Sequence, residues 1–295
     1  MNSINQHFIP QFHLKNFTND KGYYFIFNKK FNKFEKGLKT PRTSFFIKNR
    51  NTIKINGIET IVLERLYHDF ENNFAKFISY INSIDYDIDI IESISMINVL
   101  KCLIIIQFCR LPVYDVFMDN LVLNFDYTSS RNIFTDGNGK NILFEYDYIS
   151  LIKNDKDFRY YFRCFIFPFL IFQVFNNNVD MLKWRIYNIE GKNNPFICSD
   201  VPIIFNNNLN DLLSFNGNIL FPITKNRILI ISENHFPVEF PVYFWEYVNM
   251  ALYEQSSQYL AVLDKQYLYN LLDIYNDLKK INIPNIVKTR LFSFF

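Results

Sequence analysis

Three residues of this chain carry side chains suited to catalysis: His7, Glu71 and Asp200. Imidazole titrates near neutral pH and coordinates metal ions, and carboxylates hold divalent cations or transfer protons. Although the three lie far apart in the sequence, their convergence in the fold would build a metal-dependent hydrolase of the nuclease type. His7 and Asp200 are the candidate metal ligands, and magnesium or manganese is the expected cofactor.

Further polar residues, Gln11, Gln107 and Arg110, are candidates for substrate binding. Gln107 and Arg110 are three residues apart in an apolar helical segment, so their polar groups must find partners inside the protein or line a cavity. Arg110 could steady a phosphate or a transition-state charge. Gln11 shares a face with His7 if a helix begins at Pro10, a suitable first helical residue.

The same residues allow a second interpretation, a non-catalytic interaction or regulatory protein in which they form a buried polar network. His7 would then anchor the N-terminus through the backbone, and Asp200 would cap the following turn. Arg110 would pair with Glu71 or Asp200. An open cleft lined by these residues favours the hydrolase, whereas full burial of their polar atoms favours the network.

Hydrophobic periodicity predicts an α+β fold in one domain, residues 1–295, with a helix-rich part at 59–178 and a strand-rich part at 179–264. We expect the helical middle to pack on a mixed or antiparallel sheet formed by the N-terminal and C-terminal thirds. The expected helices are Glu59 to Ile81, Ile90 to Leu111, Ile142 to Lys153, Asp157 to Phe175, Tyr243 to Tyr253 and Lys265 to Lys280. The expected strands are two within Gly22 to Lys48, then Leu182 to Ile189, Phe196 to Cys198, Ile219 to Pro222 and Ile228 to Ser232.

Composition and net charge exclude several classes of protein. Apolar residues make up 49% of the chain, enough for a packed core, and the net charge is only +2, without a large basic excess. Phosphate-binding glycine motifs are absent. We expect a cytoplasmic protein with no secretion signal and no membrane contact, whose four cysteines are reduced and buried.

Two aromatic and basic stretches, Phe25 to Phe34 and Phe45 to Arg50, leave a nucleic acid open as a partner. Their rings could stack on bases while Lys and Arg contact phosphates. An edge hairpin with solvated lysines explains the same pattern. A protein partner or a homo-oligomer also remains compatible with the sequence.

Four stretches of the chain form one set: His7 to Phe12 with Leu14 and Phe17, Gln107 to Pro112, Phe196 to Pro202 after Trp184, and Phe221 to Thr224. Together they resemble the bacterial domain-of-unknown-function family 4238, over roughly His7 to Leu260. The resemblance implies that Glu71 and Asn249 fall where the family tends to place Glu and Asn, which makes Asn249 another candidate for substrate binding. The sequence departs from the family at Val201, where the family often has Asn, and the resemblance suggests a defence or mobile-element context.

Overall fold

The N-terminal part of the chain folds into short strands and one short helix. A computed structural model describes residues 5–55, 58–89, 94–127, 147–175, 183–191, 194–206, 209–215, 217–234, 236–237 and 239–295. The first elements are β1 (Asn5–His7), α1 (Gln11–Lys15), β2 (Phe25–Asn28), β3 (Lys33–Phe34), β4 (Phe46–Lys48), β5 (Ile53–Ile55) and β6 (Ile58–Thr60).

Helices dominate the middle of the chain, as predicted. In the long α2 the buried residues recur every three, four or seven positions, so one face is buried; α3 is apolar on all sides. The aromatic run within the predicted helix Asp157 to Phe175 is helical and contains a π-helical turn, Phe162–Ile166. The helices are α2 (Val62–Asn82), α3 (Ile94–Arg110), α4 (Asp115–Asn124), α5 (Tyr148–Asn154), α6 (Lys156–Tyr161) and α7 (Phe167–Phe175). Residues 90–93 and 142–146 of the predicted helices lie outside the described residues.

A five-stranded antiparallel sheet lies against these helices, in the order β10-β11-β12-β8-β7. Alternate residues point to opposite faces: Trp184 and Leu229 pack with the middle helices, whereas Tyr187 and Ile230 pack with the C-terminal part. Because both faces are covered, β11 and β12 are buried throughout. The strands are β7 (Ile88–Asp89), β8 (Lys183–Asn188), β10 (Ile204–Phe205), β11 (Ile219–Thr224) and β12 (Arg227–Ser232).

A four-stranded antiparallel sheet joins the two ends of the chain, in the order β3-β2-β13-β9. The N-terminal β2 pairs along its length with the C-terminal β13 (Tyr259–Val262), and β9 (Cys198–Ser199) lies on the other side of β13. The α+β fold, with a sheet built from both ends of the chain, is therefore confirmed.

The last four helices are α8 (Leu209–Ser214), α9 (Val242–Gln255), α10 (Lys265–Lys279) and α11 (Ile286–Phe292). Leu212 and Leu213 of α8 pack with the middle helices, whereas the buried residues of the other three helices pack with β2 and β13. Among the described residues, no single helix is long and apolar enough to cross a membrane; α3 and the segment Pro112–Asn124 pass that test only as a pair bent by 73°.

Candidate functional site

The N-terminal motif is held as an extended strand that turns into a helix. His7 of β1 pairs with Phe46 of β4, and the Phe8 amide donates to the Phe45 carbonyl at 3.1 Å. Pro10 is the N-cap of α1, so the helix begins at Gln11, one position later than predicted. The turn brings Gln11 Nε2 to 3.4 Å from His7 Nδ1, so the two side chains share a face as predicted.

The His7 ring is buried at 8% exposure and lies edge-on to Phe46, with ring centroids 5.8 Å apart. Burial lowers its pKa, against the opposing effect of the Arg42 and Pro41 carbonyls and of Glu71, so the imidazole is neutral at neutral pH. Nε2 has no hydrogen-bond partner in the described part of the chain.

Arg110, at the end of α3, links the N-terminal strand to α2. Its guanidinium donates to Glu71 Oε1 and to the main-chain carbonyl of His7, both at 2.7 Å, and lies 4.0 Å from the centre of the Tyr67 ring. Burial lowers the pKa of Arg110, but the Glu71 charge and the other nearby groups outweigh it, so the net shift is upward. The residue is only 4% exposed and remains charged.

Gln107, one turn earlier on α3, donates to the Phe8 carbonyl at 3.1 Å. Two side chains of α3 therefore satisfy two successive carbonyls of the N-terminal strand. Arg50 in turn donates to the Arg110 carbonyl at 3.0 Å and makes two hydrogen bonds to Asp115. Arg110, the last residue of α3, therefore bonds to the N-terminal strand through its side chain, and its main-chain carbonyl accepts from Arg50.

A second branch of the same network runs through Asn51. Its amide N–H donates to Gln6 Oε1 at 2.6 Å, its side chain donates to Glu64, and it accepts from Tyr160 Oη at 3.0 Å. Glu64 is half-buried, and burial raises its pKa.

The sequence reasoning missed the third part of the network, centred on Arg163 in the π-helical turn. Arg163 donates to Asp119 at 2.8 Å and to the Asp115 carboxylate at 2.9 Å, and its guanidinium lies 4.6 Å from the Tyr160 ring centre. An arginine within an aromatic run that is otherwise almost entirely apolar was the available signal, because such a charge must be paired.

Asp200 lies elsewhere and is bound by a loop. Oδ1 accepts from Ser256 Oγ and the Ser257 amide, both at 2.9 Å, and Oδ2 accepts from the amides of Gln258 at 2.6 Å and Tyr259 at 2.9 Å. Burial raises the pKa of the Asp200 carboxyl, while the four donors oppose that shift. Each oxygen already has two donors, which match its two lone pairs.

Glu71 and Asp200 line separate cavities, and His7 lines neither of them. Arg110, Gln107 and Glu71 line a cavity of about 10 Å³, room for about one water molecule. Asp200 borders a different cavity of about 210 Å³, which it shares with Phe46 and Tyr259.

Asn249 fastens α9 to the preceding strand segment. Its Oδ1 accepts from the Ile197 amide at 3.0 Å, and its Nδ2 lies 2.7 Å from Tyr267 Oη, which also donates to Glu246 at 2.6 Å. Asn249 is buried, and its hydrogen bonds hold α9 against α10 and against the segment that contains Ile197.

The described residues offer few groups suited to binding a metal ion or to acting as a thiol nucleophile. No group of three or more His, Cys, Asp or Glu there could hold a metal ion. The four cysteines are free, with Cys102 half-buried and the others buried. Burial raises the pKa of Cys102 to about 11 and shifts those of Cys109 and Cys198 upward as well, which disfavours the nucleophilic thiolate.

These features define an α+β protein whose N-terminal strand is locked onto a helical layer by a buried arginine and carboxylate network. Residues 5–240 match the family described as "Protein of unknown function (DUF4238)". The match covers most of the chain, which therefore belongs to this family. No curated protein and no solved structure matches the chain.

Proposed function

We propose that this chain is a non-catalytic interaction protein, in which the residues suited to catalysis form a buried network that fixes the fold. The observation that carries the proposal is the saturation of Asp200: four donors occupy its carboxylate, so binding a metal ion or accepting a substrate proton would require breaking the loop at residues 256–259.

Arg110 supports the same view. Its charge is neutralised by Glu71, and its other terminal nitrogen donates to the His7 carbonyl, so a phosphate would have to displace both. A buried arginine that is already paired and bonded to the main chain is typical of a structural role. The cavity beside it is also too small for a substrate.

The alternative is a hydrolase of the nuclease type, with magnesium or manganese bound at His7, Glu71 or Asp200. It would require the two separate cavities to merge and the Asp200 loop to open. A role in defence or on a mobile element is compatible with either function and rests on the family resemblance alone.

The test is a cleavage assay on RNA, single-stranded DNA and duplex DNA with magnesium or manganese, for the wild type, Glu71→Gln and Asp200→Asn. We expect no product above a protein-free control and lower unfolding free energies for both variants. Metal-dependent cleavage by the wild type that disappears in a folded Glu71→Gln protein would overturn the proposal.

A further inference from the structure

The positive charge of this chain is concentrated in one segment, residues 21–54. That segment contains ten Lys and Arg residues and a single acidic residue, Glu35, which gives it a formal charge of +9. Because the whole chain carries +2, all other residues together carry −7. Such asymmetry is typical of proteins that bind a polyanion.

Most of these cations face solvent. Seven are exposed, and none of the seven forms an ion pair among the described residues. The other three are engaged: Lys39 pairs with Glu35, Arg50 pairs with Asp115, and Lys29 donates to main-chain carbonyls. The exposed ones are Lys21, Lys30, Lys33, Lys36, Arg42, Lys48 and Lys54.

An exposed aromatic ring lies among them. Phe31, in the turn between β2 and β3, is 59% exposed, although an apolar ring is normally buried. The ammonium groups of Lys30 and Lys33 lie 5.8 and 5.6 Å from its ring centre. A ring flanked by two cations can stack on a nucleic-acid base while the cations contact the adjacent phosphates.

The turn that carries Phe31 is anchored to the end of α9. Lys29 Nζ donates to the carbonyls of Tyr253, Glu254 and Ser256 at 2.8, 2.8 and 2.9 Å, which ties the turn to the end of α9. The Asn28 side chain accepts from the Phe31 amide at 3.4 Å, and β2 pairs with β13. A fixed platform loses little entropy on binding.

Protection of an edge strand explains only part of this pattern. β3 is the edge of its sheet, and lysines on or beside such a strand prevent association with other chains. That role accounts for Lys33 and Lys36. It also extends to Lys48 on β4 and Lys54 on β5, because every strand of a two-stranded sheet is an edge. It does not account for Arg42 or for an exposed Phe31.

We propose that residues 21–54 form a binding surface for single-stranded nucleic acid, on which Phe31 stacks a base and the exposed lysines and arginine contact successive phosphates. Seven exposed cations fit a chain of phosphates better than a single anion. Phe31 and the exposed cations take no part in the buried network, although Arg50 and Asn51 of the same segment do, so the inference goes beyond the proposed function and does not depend on it.

The experiment measures fluorescence anisotropy of labelled 20-nucleotide poly(U) and oligo(dT) with the intact chain over a range of salt concentrations. We expect binding that weakens with salt. Lys30→Gln combined with Lys33→Gln should lower the affinity and reduce the magnitude of the log–log salt slope by about 1.4, since each single-strand phosphate contact contributes roughly 0.7. Phe31→Ala should weaken binding about tenfold with little change in slope.

The matched control replaces two exposed lysines outside the segment, Lys76→Gln with Lys153→Gln, and should retain wild-type affinity. Thermal melts check that all variants fold. Substitutions of exposed residues should not prevent folding. The proposal is overturned if the oligonucleotides do not bind at low salt, if the control loses as much affinity as the Lys30 and Lys33 variant, or if Phe31→Ala binds normally. Binding to anionic lipid vesicles in place of oligonucleotides would equally overturn it, in favour of a membrane surface.

Discussion

Asp200→Asn distinguishes a structural carboxylate from a catalytic one, because the substitution keeps the size of the side chain and removes one acceptor. The single oxygen of Asn can still accept from the Gln258 and Tyr259 amides, with its NH₂ group turned toward Ser256 and Ser257. Ser256 Oγ can accept from that NH₂ group, but the Ser257 amide is a donor and loses its partner.

Ser257 is exposed, so water can partly replace the acceptor that its amide loses, and we expect Asp200→Asn to lower the unfolding free energy by about 1 kcal/mol, the net value of one hydrogen bond. Asp200→Ala leaves all four donors without their carboxylate and should cost about 4 kcal/mol or more, less whatever water restores. Urea unfolding measures both values, and the denaturant slope should stay unchanged.

Asp264→Asn provides the matched control. Asp264 is an exposed N-cap of α10 and accepts from the Gln266 amide at 2.7 Å. Since Asn caps a helix as well as Asp does, its unfolding free energy should match that of the wild type. If Asp200→Asn also unfolds within about 0.5 kcal/mol of the wild type, the four hydrogen bonds do not fix the loop and the structural reasoning is wrong.

Three other experiments test the buried network and the core. Arg110→Met should lower the unfolding free energy by about 3 kcal/mol, because it leaves Glu71 unpaired and the His7 carbonyl without its donor; urea unfolding measures this, and an unchanged stability would contradict it. Burial lowers the pKa of His13, stacked on Phe221, to about 3. Below its unfolded pKa of about 6.5 only the unfolded state takes up that proton, so stability falls as the pH drops from 6.5 toward 3, by about 3 kcal/mol at pH 4.5. His13→Phe should remove this part of the pH dependence in acid titrations of stability, whereas the exposed His68→Gln should keep it. Thiol reagents should label native Cys109 and Cys198 far more slowly than the unfolded chain, and equal labelling rates would refute their burial.

Hydrophobic periodicity predicted the long, strongly patterned elements, whereas several short elements were missed. The α2 pattern and the apolar β11 and β12 segments were predicted within a few residues. By contrast, α4 and α11 are seven to ten residues long and weakly patterned, and β13 is only four residues long, so local pattern could not separate them from loop. Their stability comes from tertiary pairing, for example of β13 with β2.

The contacts of the site residues were also predicted only in part. The pairing of Arg110 with Glu71 was one of the two partners expected, because a buried arginine needs a carboxylate. Which carboxylate it takes depends on the crossing of α2 and α3, and nothing in the local sequence fixes that. The binding of Asp200 by residues 256–259 is a contact across 56 or more positions and could not be predicted. The basic segment was recognised only as two aromatic and basic stretches, Phe25 to Phe34 and Phe45 to Arg50, because the net charge of the whole chain conceals the charge of +9 on residues 21–54.

The buried network and the basic surface are connected through the chain. The network holds Arg50 and Asn51, near the C-terminal end of the basic segment, against α3, α4 and α6, while Lys29 ties the turn before Phe31 to α9. A segment with a charge of +9 repels itself, so its compact conformation needs attachment by groups that do not depend on apolar burial alone. Buried arginine pairs, which contribute little net stability but specify one arrangement, are suited to that purpose. The polar residues near the N-terminus would then position a surface without taking part in its chemistry.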